Sequence, residues 1–289
     1  MNNEILKKDK SYLWHPFTQS KTSYDPIVIE SAKGEKLFDS KGNEYIDLIS
    51  SWWINTHGHC RDEMINSVSN QSKKLEQVLF AGFTHKPAVD LAQKLVHITP
   101  KNLKRVFYSD NGSTSVEIAM KVAVQYWFNK GKKKTKFVAL KGGYHGDTFG
   151  AMSVGRTSGF YEPFNDMLNE CFFFSFPEIW KGNNELQKNE LKAFDEVRKI
   201  IKEEKDQIAA VILEPLVQGA VGMKICRKEF LSEIVRMFKE SGIIVIFDEV
   251  MTGFGRTGKM FASNFIKEQP DIMCLAKSLT GGFIPLAAT

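Results

Sequence analysis

The sequence lacks several features that would assign it to a specialised class of protein. Its 289 residues include only four cysteines, and no two of them are close enough to form a metal-binding pair. A chain of this length needs no disulfide framework, so we expect a reducing, cytoplasmic compartment and no metal site. No uninterrupted apolar run reaches the roughly eighteen residues of a membrane span, and the polar first ten residues contain no apolar segment typical of a secretory signal.

The charge balance is also unremarkable. Lys and Arg number 39 against 34 Asp and Glu, which gives a net charge of +5. The main local source is the basic run 130–136, which we interpret as a solvated loop rather than a nucleic-acid patch. We therefore expect no nucleic-acid partner.

Short apolar segments alternate with amphipathic ones along most of the chain. The first fifty residues suggest a small antiparallel element, and later segments predict strands at 106–108, 137–140, 208–213, 243–247, 272–275 and 284–288. Helices are predicted between them, at 113–129, 190–204 and 229–241 among others. Continuous apolar strands separated by helices are typical of an α/β fold with a mostly parallel sheet flanked by helices, in which ligands bind at the carboxyl ends of the strands.

Two segments that follow predicted strands contain glycine and hydroxyl or aromatic residues. Gly112 and Ser113 open a predicted helix, whose free amides would suit a phosphate; the alternative is an ordinary helix cap in which Glu117 closes a capping box on Thr114. Tyr144 lies among glycines, where it could stack on a flat ligand or simply pack in a tight turn.

Buried carboxylates end two further strands. Glu214 and Gln218 follow one strand, and Asp248 follows another that has no polar residue before it. Such groups are costly to bury without a partner, and an Asp in this position is typical of a site for a cation or a protonated ring nitrogen; the alternative is an ordinary helix or loop cap.

The glycine-rich segment 253–259 matches two nucleotide-binding patterns but fails both on context. Met260 stands where a phosphate-binding loop needs Ser or Thr, and no helix begins at the segment as a dinucleotide loop requires.

Lys277 follows a strand directly and precedes a glycine pair. Such a lysine is usually just solvated, but when desolvated it becomes a Schiff-base nucleophile. A phosphate site, an aromatic stacker, a strand-end Asp and this lysine together predict pyridoxal 5'-phosphate as cofactor, because its ring acts as an electron sink when an Asp pairs with the ring nitrogen.

These motifs resemble those of the class III (ω-amino) aminotransferases of pyridoxal-phosphate fold type I. The resemblance covers nearly every residue and rests on 110–117 (DNGSTSVE), 143–147 (GYHGD), 214–219 (EPLVQG), 248–250 (DEV) with 253–258 (GFGRTG), and 277–282 (KSLTGG).

The resemblance implies a role for each matching residue. Lys277 would be the catalytic Schiff-base lysine and would move the proton in a ping-pong transamination. The other cofactor-binding residues would be Gly112 and Ser113 at the phosphate, Asp248 at the ring nitrogen, Val250 and Tyr144 on the two ring faces, and Gln218 near the phenolic oxygen. Phe17, Trp52, Trp53, Tyr144 and Asp147 would shape the substrate pocket.

Narrower motifs resemble the branch of this family that works in biotin biosynthesis. They are 14–18 (WHPFT), 50–53 (SSWW) with 57–59 (HGH), and 147–153 (DTFGAMS). They imply conversion of 8-amino-7-oxononanoate to 7,8-diaminononanoate by a homodimer. Users of S-adenosylmethionine often carry Tyr where this chain has Phe17, and related enzymes with Phe there can take lysine, so both donors stay open.

Relatives continue for well over a hundred residues past the Schiff-base lysine, whereas this chain stops at Thr289. We therefore expect residues 1–50 to be the N-terminal part of a small α+β domain, residues 51–289 to be the cofactor-binding large domain, and the C-terminal part of the small domain to be absent. Two alternatives remain open, namely another class III ω-aminotransferase and an inactive, truncated cofactor-binding fragment.

Overall fold

The computed structural model describes residues 2–289, so Met1, the first residue of the predicted segment 1–50, lies outside it. The chain divides into two compact units, one ending at Gln77 and one comprising Val78–Thr289. This division concerns compactness alone, and the boundary at residue 50 between small-domain and large-domain segments stays a prediction.

The first unit contains three helical segments and one sheet. In chain order these are α1 (Asn2–Tyr12), β1 (Ile29–Lys33), β2 (Lys36–Asp39), β3 (Glu44–Ile46), α2 (Ser50–Trp53) and α3 (Asp62–Ser72). The strands form an antiparallel sheet in the order β1-β2-β3, as predicted for the first fifty residues. Gly34 and Gly42 adopt the positive φ values that its tight connections need.

The second unit contains five helices, nine strands and four short 3₁₀ segments. The helices are α4 (Lys86–Ile98), α5 (Gly112–Asn129), α6 (Phe149–Gly155), α7 (Leu186–Glu204) and α8 (Lys228–Glu240). The strands are β4 (Tyr108–Ser109), β5 (Lys136–Leu140), β6 (Cys171–Phe174), β7 (Ile208–Leu213), β8 (Val217–Gln218), β9 (Lys224–Ile225), β10 (Ile244–Asp248), β11 (Ile272–Cys274) and β12 (Ala287–Ala288). The 3₁₀ segments are Arg156–Ser158, Glu162–Met167, Ala262–Phe265 and Lys277–Leu279.

The central sheet confirms the predicted parallel α/β architecture. Its strand order is β11-β10-β7-β5-β6, and each neighbouring pair is parallel. Every residue of β7 is fully buried, because helices cover both faces of the sheet. One face packs against α7 and α8, and the other packs against α5 and α6. Such coverage explains why the strands read as continuous apolar runs.

Several local expectations need correction. The edge strand β6, the short helix α6 and the turn α2 were not predicted, and the predicted strand at 106–108 shrinks to Tyr108–Ser109. One member of the predicted solvated run 130–136 is buried. Lys134 Nζ lies 4.5 Å from the Trp127 ring centroid and donates to the Lys205 carbonyl at 2.6 Å, and burial lowers its pKa.

Among residues 2–289, no helix is both long and apolar enough to cross a bilayer.

The packing of α8 against the sheet generates a stability prediction. Leu231→Ala on α8, where Leu231 is 1% exposed, should lower the free energy of unfolding by about 2–5 kcal/mol, because a cavity replaces buried methyl groups. Leu191→Ala on α7, where the side chain is 60% exposed, should change it by less than about 0.5 kcal/mol. Urea unfolding of both variants checks this; equal effects would contradict the assigned core.

Candidate active site

The order of the central strands creates a crevice. From β5 the chain passes to β6 on one side, whereas from β7, on the other side of β5, it passes to β10 in the opposite direction. Connections that leave adjacent parallel strands in opposite directions open a crevice at their carboxyl ends, where α/β proteins bind ligands. The loops after β5 and β7 contain Tyr144 and Gln218, two residues predicted from the sequence to bind a cofactor.

Tyr144 lies half-buried in the loop after β5. Its hydroxyl donates to Asp147 Oδ2 at 3.0 Å, and its ring stacks on Tyr161 with centroids 6.2 Å apart. Tyr161 in turn donates its hydroxyl to the Gly146 carbonyl at 2.9 Å. Burial, followed by the negative charge of Asp147, raises the pKa of Tyr144 well above its usual range, so its hydroxyl stays protonated. The Tyr144 ring is therefore fixed at its edge and on one face.

A buried ion pair joins this loop to the end of β10. His145 Nδ1 lies 2.8 Å from Asp248 Oδ2, and both side chains are at most 6% exposed. The other carboxylate oxygen, Asp248 Oδ1, accepts from the Val250 amide at 3.1 Å. Burial lowers the pKa of His145, but the hydrogen bond and charge of Asp248, with the charge of Glu214, outweigh it and raise that pKa above its ordinary value. A protonated His145 would offset the negative charge of the Asp248 carboxylate.

The N-terminus of α5 presents backbone amides. Asn111 caps the helix, since its Oδ1 accepts from the Thr114 amide at 3.0 Å and Thr114 Oγ1 accepts from the Asn111 amide at 3.0 Å. The Ser115 amide bonds to the Asn111 carbonyl. The helix itself therefore leaves the amides of Gly112 and Ser113 available for an anion.

Glu117 does not close a capping box, contrary to the alternative considered for this helix. Its Oε1 instead accepts from Thr148 Oγ1 at 2.6 Å, the Gly150 amide at 2.7 Å and the Ala151 amide at 3.2 Å. The carboxylate thereby caps α6 from another helix. This role depends on tertiary contacts that a sequence pattern does not contain.

Two glycines allow three chain segments to meet at this point. A Cβ on Gly112 would lie 2.8 Å from Val250 Cγ1, and a Cβ on Gly146 would lie 2.0 Å from Ser113 Oγ. The Ser113 hydroxyl also accepts from the Asp147 amide at 3.1 Å. Glycine is therefore needed for the helix start, the loop after β5 and the end of β10 to come together.

Gln218 and Glu214 are both buried after β7. Gln218 Nε2 donates to the Lys141 carbonyl at 3.0 Å, while its Oε1 has no hydrogen-bond partner among the described residues. Glu214 accepts from the Tyr144 amide at 2.9 Å and from the Gly219 amide at 3.1 Å. Burial raises the pKa of Glu214 to about 7, against the lowering effects of His145 and these two amides.

Lys277 follows β11 and begins a 3₁₀ turn in a left-handed conformation, with φ of 45°. Burial lowers its pKa, the negative charges of Asp248 and Glu214 oppose that change, and the positive charge of Arg256 adds to it. The predicted lysine is thus desolvated and lies within the electrostatic influence of the predicted Asp.

The first unit contains the other three sequence-predicted site residues. Phe17 and Trp52 form an edge-to-face pair with centroids 5.5 Å apart, and about half or more of each side chain is exposed. Trp52 and Trp53 belong to α2, in which all four residues have φ between 46° and 66°. Such a left-handed turn of non-glycine residues costs roughly 1–2 kcal/mol per residue.

Asp47 stabilises this turn. Its Oδ1 accepts from the Ser51 amide at 2.9 Å, and its Oδ2 accepts from the Ser51 hydroxyl at 2.7 Å and lies 2.9 Å from His59 Nε2. Burial raises the pKa of Asp47, but these hydrogen bonds outweigh it and lower that pKa below its usual value. Backbone strain in a segment that carries exposed aromatic side chains is typical of a segment that contacts a ligand.

The structure therefore gathers eight predicted residues of the second unit around the strand ends. They are Gly112, Ser113, Tyr144, Asp147, Gln218, Asp248, Val250 and Lys277. Sequence reasoning assigned no role to His145 and did not single out Tyr161. An imidazole between two glycines after a strand was a signal for His145, whereas nothing in the sequence pointed to Tyr161.

The left-handed turn should reverse the order of stability that Ala and Gly have in an ordinary helix. Ser51→Gly should be more stable to urea than Ser51→Ala by about 1 kcal/mol, because both variants lose the hydroxyl contact but only glycine tolerates positive φ without strain.

At the exposed position Ser67 in α3, the order should be opposite, with Ala more stable than Gly by about 1 kcal/mol. Finding Ala the more stable residue at both positions would contradict the left-handed assignment.

Comparison with known proteins identifies relatives for the whole chain. Residues 18–289 match the family model described as aminotransferase class-III. The chain is 48% identical over 278 residues to adenosylmethionine-8-amino-7-oxononanoate aminotransferase of Synechococcus elongatus, covering 96% of this chain and 65% of that protein. It is 45% identical to the protein of the same name from Staphylococcus aureus, covering 99% and 65%.

A solved structure is similarly close. The crystal structure of adenosylmethionine-8-amino-7-oxononanoate aminotransferase from Methanocaldococcus jannaschii superposes with a TM-score of 0.91 at 40% identity, covering 100% of this chain and 65% of that one. The chain thus spans about 65% of the length of the relatives that it matches.

Proposed function

Because this chain belongs to the class III aminotransferase family, we propose that it is part of an enzyme that transfers an amino group to 8-amino-7-oxononanoate and forms 7,8-diaminononanoate for biotin biosynthesis. The amino donor is S-adenosylmethionine or lysine. The observation that supports this proposal best is the convergence of Asp248, Lys277 and the α5 N-terminus at one set of strand ends, together with the names of the relatives at 40–48% identity.

The family depends on pyridoxal phosphate, and the residues present suit that group. The two α5 amides that the helix does not use match a phosphate. The buried oxygen of Gln218 that has no partner among the described residues matches a hydroxyl donor. A buried carboxylate at Asp248 matches a protonated ring nitrogen. Tyr144 and Val250 offer an aromatic and a branched apolar surface for the two faces of a flat ring.

When bound, pyridoxal phosphate supplies an aldehyde that accepts the amino group and a ring that accepts electron density. The residues of this chain would bind and orient the cofactor and the substrate, and would move protons. Burial favours the neutral amine of Lys277, which makes Nζ a nucleophile and a proton acceptor. His145 and the Val250 amide hold the Asp248 carboxylate in one orientation, in which it would face the ring nitrogen. Phe17, Trp52, Trp53 and Asp147 would bind the substrate.

The proposal includes a homodimer in the cytoplasm. A groove of about 1130 Å³ beside α5 and α6 is lined by exposed apolar side chains, including Phe107, Val122, Phe128 and Phe149. Contiguous apolar surface of this kind supports contact with a second subunit. All four cysteines lie in the described part of the chain and are unpaired there, as a reducing compartment would keep them. Sedimentation as a monomer at all concentrations would contradict the dimer.

The cofactor assignment predicts covalent attachment at one lysine. The chain incubated with pyridoxal phosphate and reduced with borohydride should give a pyridoxyl group on Lys277 by peptide mass mapping. Lys277→Ala should lose this adduct, whereas Lys259→Ala, which removes an exposed lysine, should keep it. An adduct that persists in Lys277→Ala would contradict the assignment.

The substrate assignment predicts a specific product. The cofactor-loaded chain should form 7,8-diaminononanoate from 8-amino-7-oxononanoate with S-adenosylmethionine or lysine as donor, as measured by mass spectrometry. Phe17→Tyr, which adds a hydroxyl, should shift use toward S-adenosylmethionine. Reaction with other carbonyl acceptors alone would identify a different class III ω-aminotransferase, and cofactor retention without any turnover would identify a binding fragment.

A further inference from the structure

Glu214 is a buried acid that the proposed reaction does not use. It follows β7 directly and is 6% exposed. Its two oxygens accept from two backbone amides, that of Tyr144 at 2.9 Å and that of Gly219 at 3.1 Å. These amides belong to the loops on either side of the crevice between β5 and β7, so one carboxyl group joins the two loops.

Burial of the Glu214 carboxyl group costs free energy, and the packing around it does not require a carboxyl group. A buried carboxyl group is unfavourable unless polar partners replace the water that it loses, and burial is the largest influence on Glu214, whose pKa it raises. The charged groups that influence it are His145, Asp248 and Lys277. An apolar residue would avoid this cost but would leave the part-buried Tyr144 amide and the buried Gly219 amide without this acceptor.

We propose that Glu214 is a positioning residue of the cofactor site, which fixes the loops of Tyr144 and Gln218 relative to each other through the Tyr144 and Gly219 amides. Glu214 acts on the backbone of the residue whose ring would cover the cofactor and on the backbone directly after Gln218. The inference rests on the proposed function in one respect only, namely that the side chains of Tyr144 and Gln218 would contact pyridoxal phosphate.

The geometry of the carboxyl group makes the role specific. Two amide donors need two acceptor oxygens, and glutamate supplies both from one side chain. Glu214→Gln preserves the size of the side chain but replaces one oxygen with an NH₂ group, which cannot accept a hydrogen bond. One of the two loops therefore loses its connection in this variant.

The main test measures affinity for pyridoxal phosphate by equilibrium dialysis. Glu214→Gln should raise the dissociation constant at least tenfold. The matched control is Glu190→Gln. Glu190 lies on α7 and is equally buried, at 5% exposed, and both of its carboxylate oxygens accept hydrogen bonds from Arg227. That variant should leave the dissociation constant within twofold. Equal cofactor affinity in both variants would overturn the inference, even if Glu214→Gln were less stable.

A pH measurement separates positioning from general stability. The pKa of Glu214 is raised from 4.5 to about 7 on folding, so its contribution to stability is fully present below pH 4.5 and is lost as the pH rises through about 7. The cofactor dissociation constant of the unsubstituted chain should rise as the pH falls through about 7, because protonation turns one of the two acceptor oxygens of Glu214 into a donor, and in Glu214→Gln that rise should be smaller. An identical pH dependence in both proteins would overturn the inference.

Hydrogen exchange tests the contact without any substitution. In the unsubstituted chain, the Tyr144 and Gly219 amides should be protected from exchange before pyridoxal phosphate is added; unprotected amides would overturn the inference. If the unsubstituted chain retained no cofactor, the proposed function would be contradicted, and the exchange rates of these two amides in Glu214→Gln and Glu190→Gln would still decide the role of Glu214.

Discussion

The buried pair of Asp248 and His145 is the interaction on which the rest of the site depends. A carboxylate buried at the end of an apolar strand has little water to solvate it. His145, in the loop after β5, balances its charge, since His145 Nδ1 lies 2.8 Å from Asp248 Oδ2. This pair ties the loop after β5 to the end of β10. The charge of Asp248 also acts on two other groups of the crevice: it raises the pKa of Glu214, and it opposes the lowering that burial causes in the pKa of Lys277.

Close backbone approach is the second requirement. Gly112 and Gly146 lie where any side chain would collide with Val250 or Ser113. The helix start, the loop and the strand end can therefore present amides, a hydroxyl and a carboxylate to one small volume. Preorganised polar groups of this kind stabilise charge without having to reorganise, as the proposed cofactor site would require.

Much of the fold followed from residue patterns alone. Strands β7 and β10 were predicted within one residue, because fully buried parallel strands are continuously apolar. The family and the cofactor followed from motifs at the strand ends. Strand β6 was missed although Cys171–Phe174 is apolar, because no turn signal as strong as a glycine pair marks it.

Other features depend on tertiary contacts. The sequence of α2 contains no glycine, so a left-handed turn there could not be predicted; it exists because Asp47 and His59 stabilise it from outside the segment. Glu117 matched a local cap but bonds to α6, and Lys134 matched a solvated loop but packs on Trp127. In each case a partner outside the segment outweighs the preference of the segment itself, and the pattern within the segment contains no record of that partner.

The most direct test of this account is the protonation state of the cofactor ring nitrogen, measured by ¹⁵N NMR on the chain loaded with ¹⁵N-labelled pyridoxal phosphate. Because Asp248 is a buried carboxylate paired with His145, we predict a protonated ring nitrogen at neutral pH that loses its proton in Asp248→Asn. A neutral ring nitrogen in the unsubstituted chain, with the cofactor attached to Lys277, would contradict the role assigned to Asp248 and the arrangement of the site built on it.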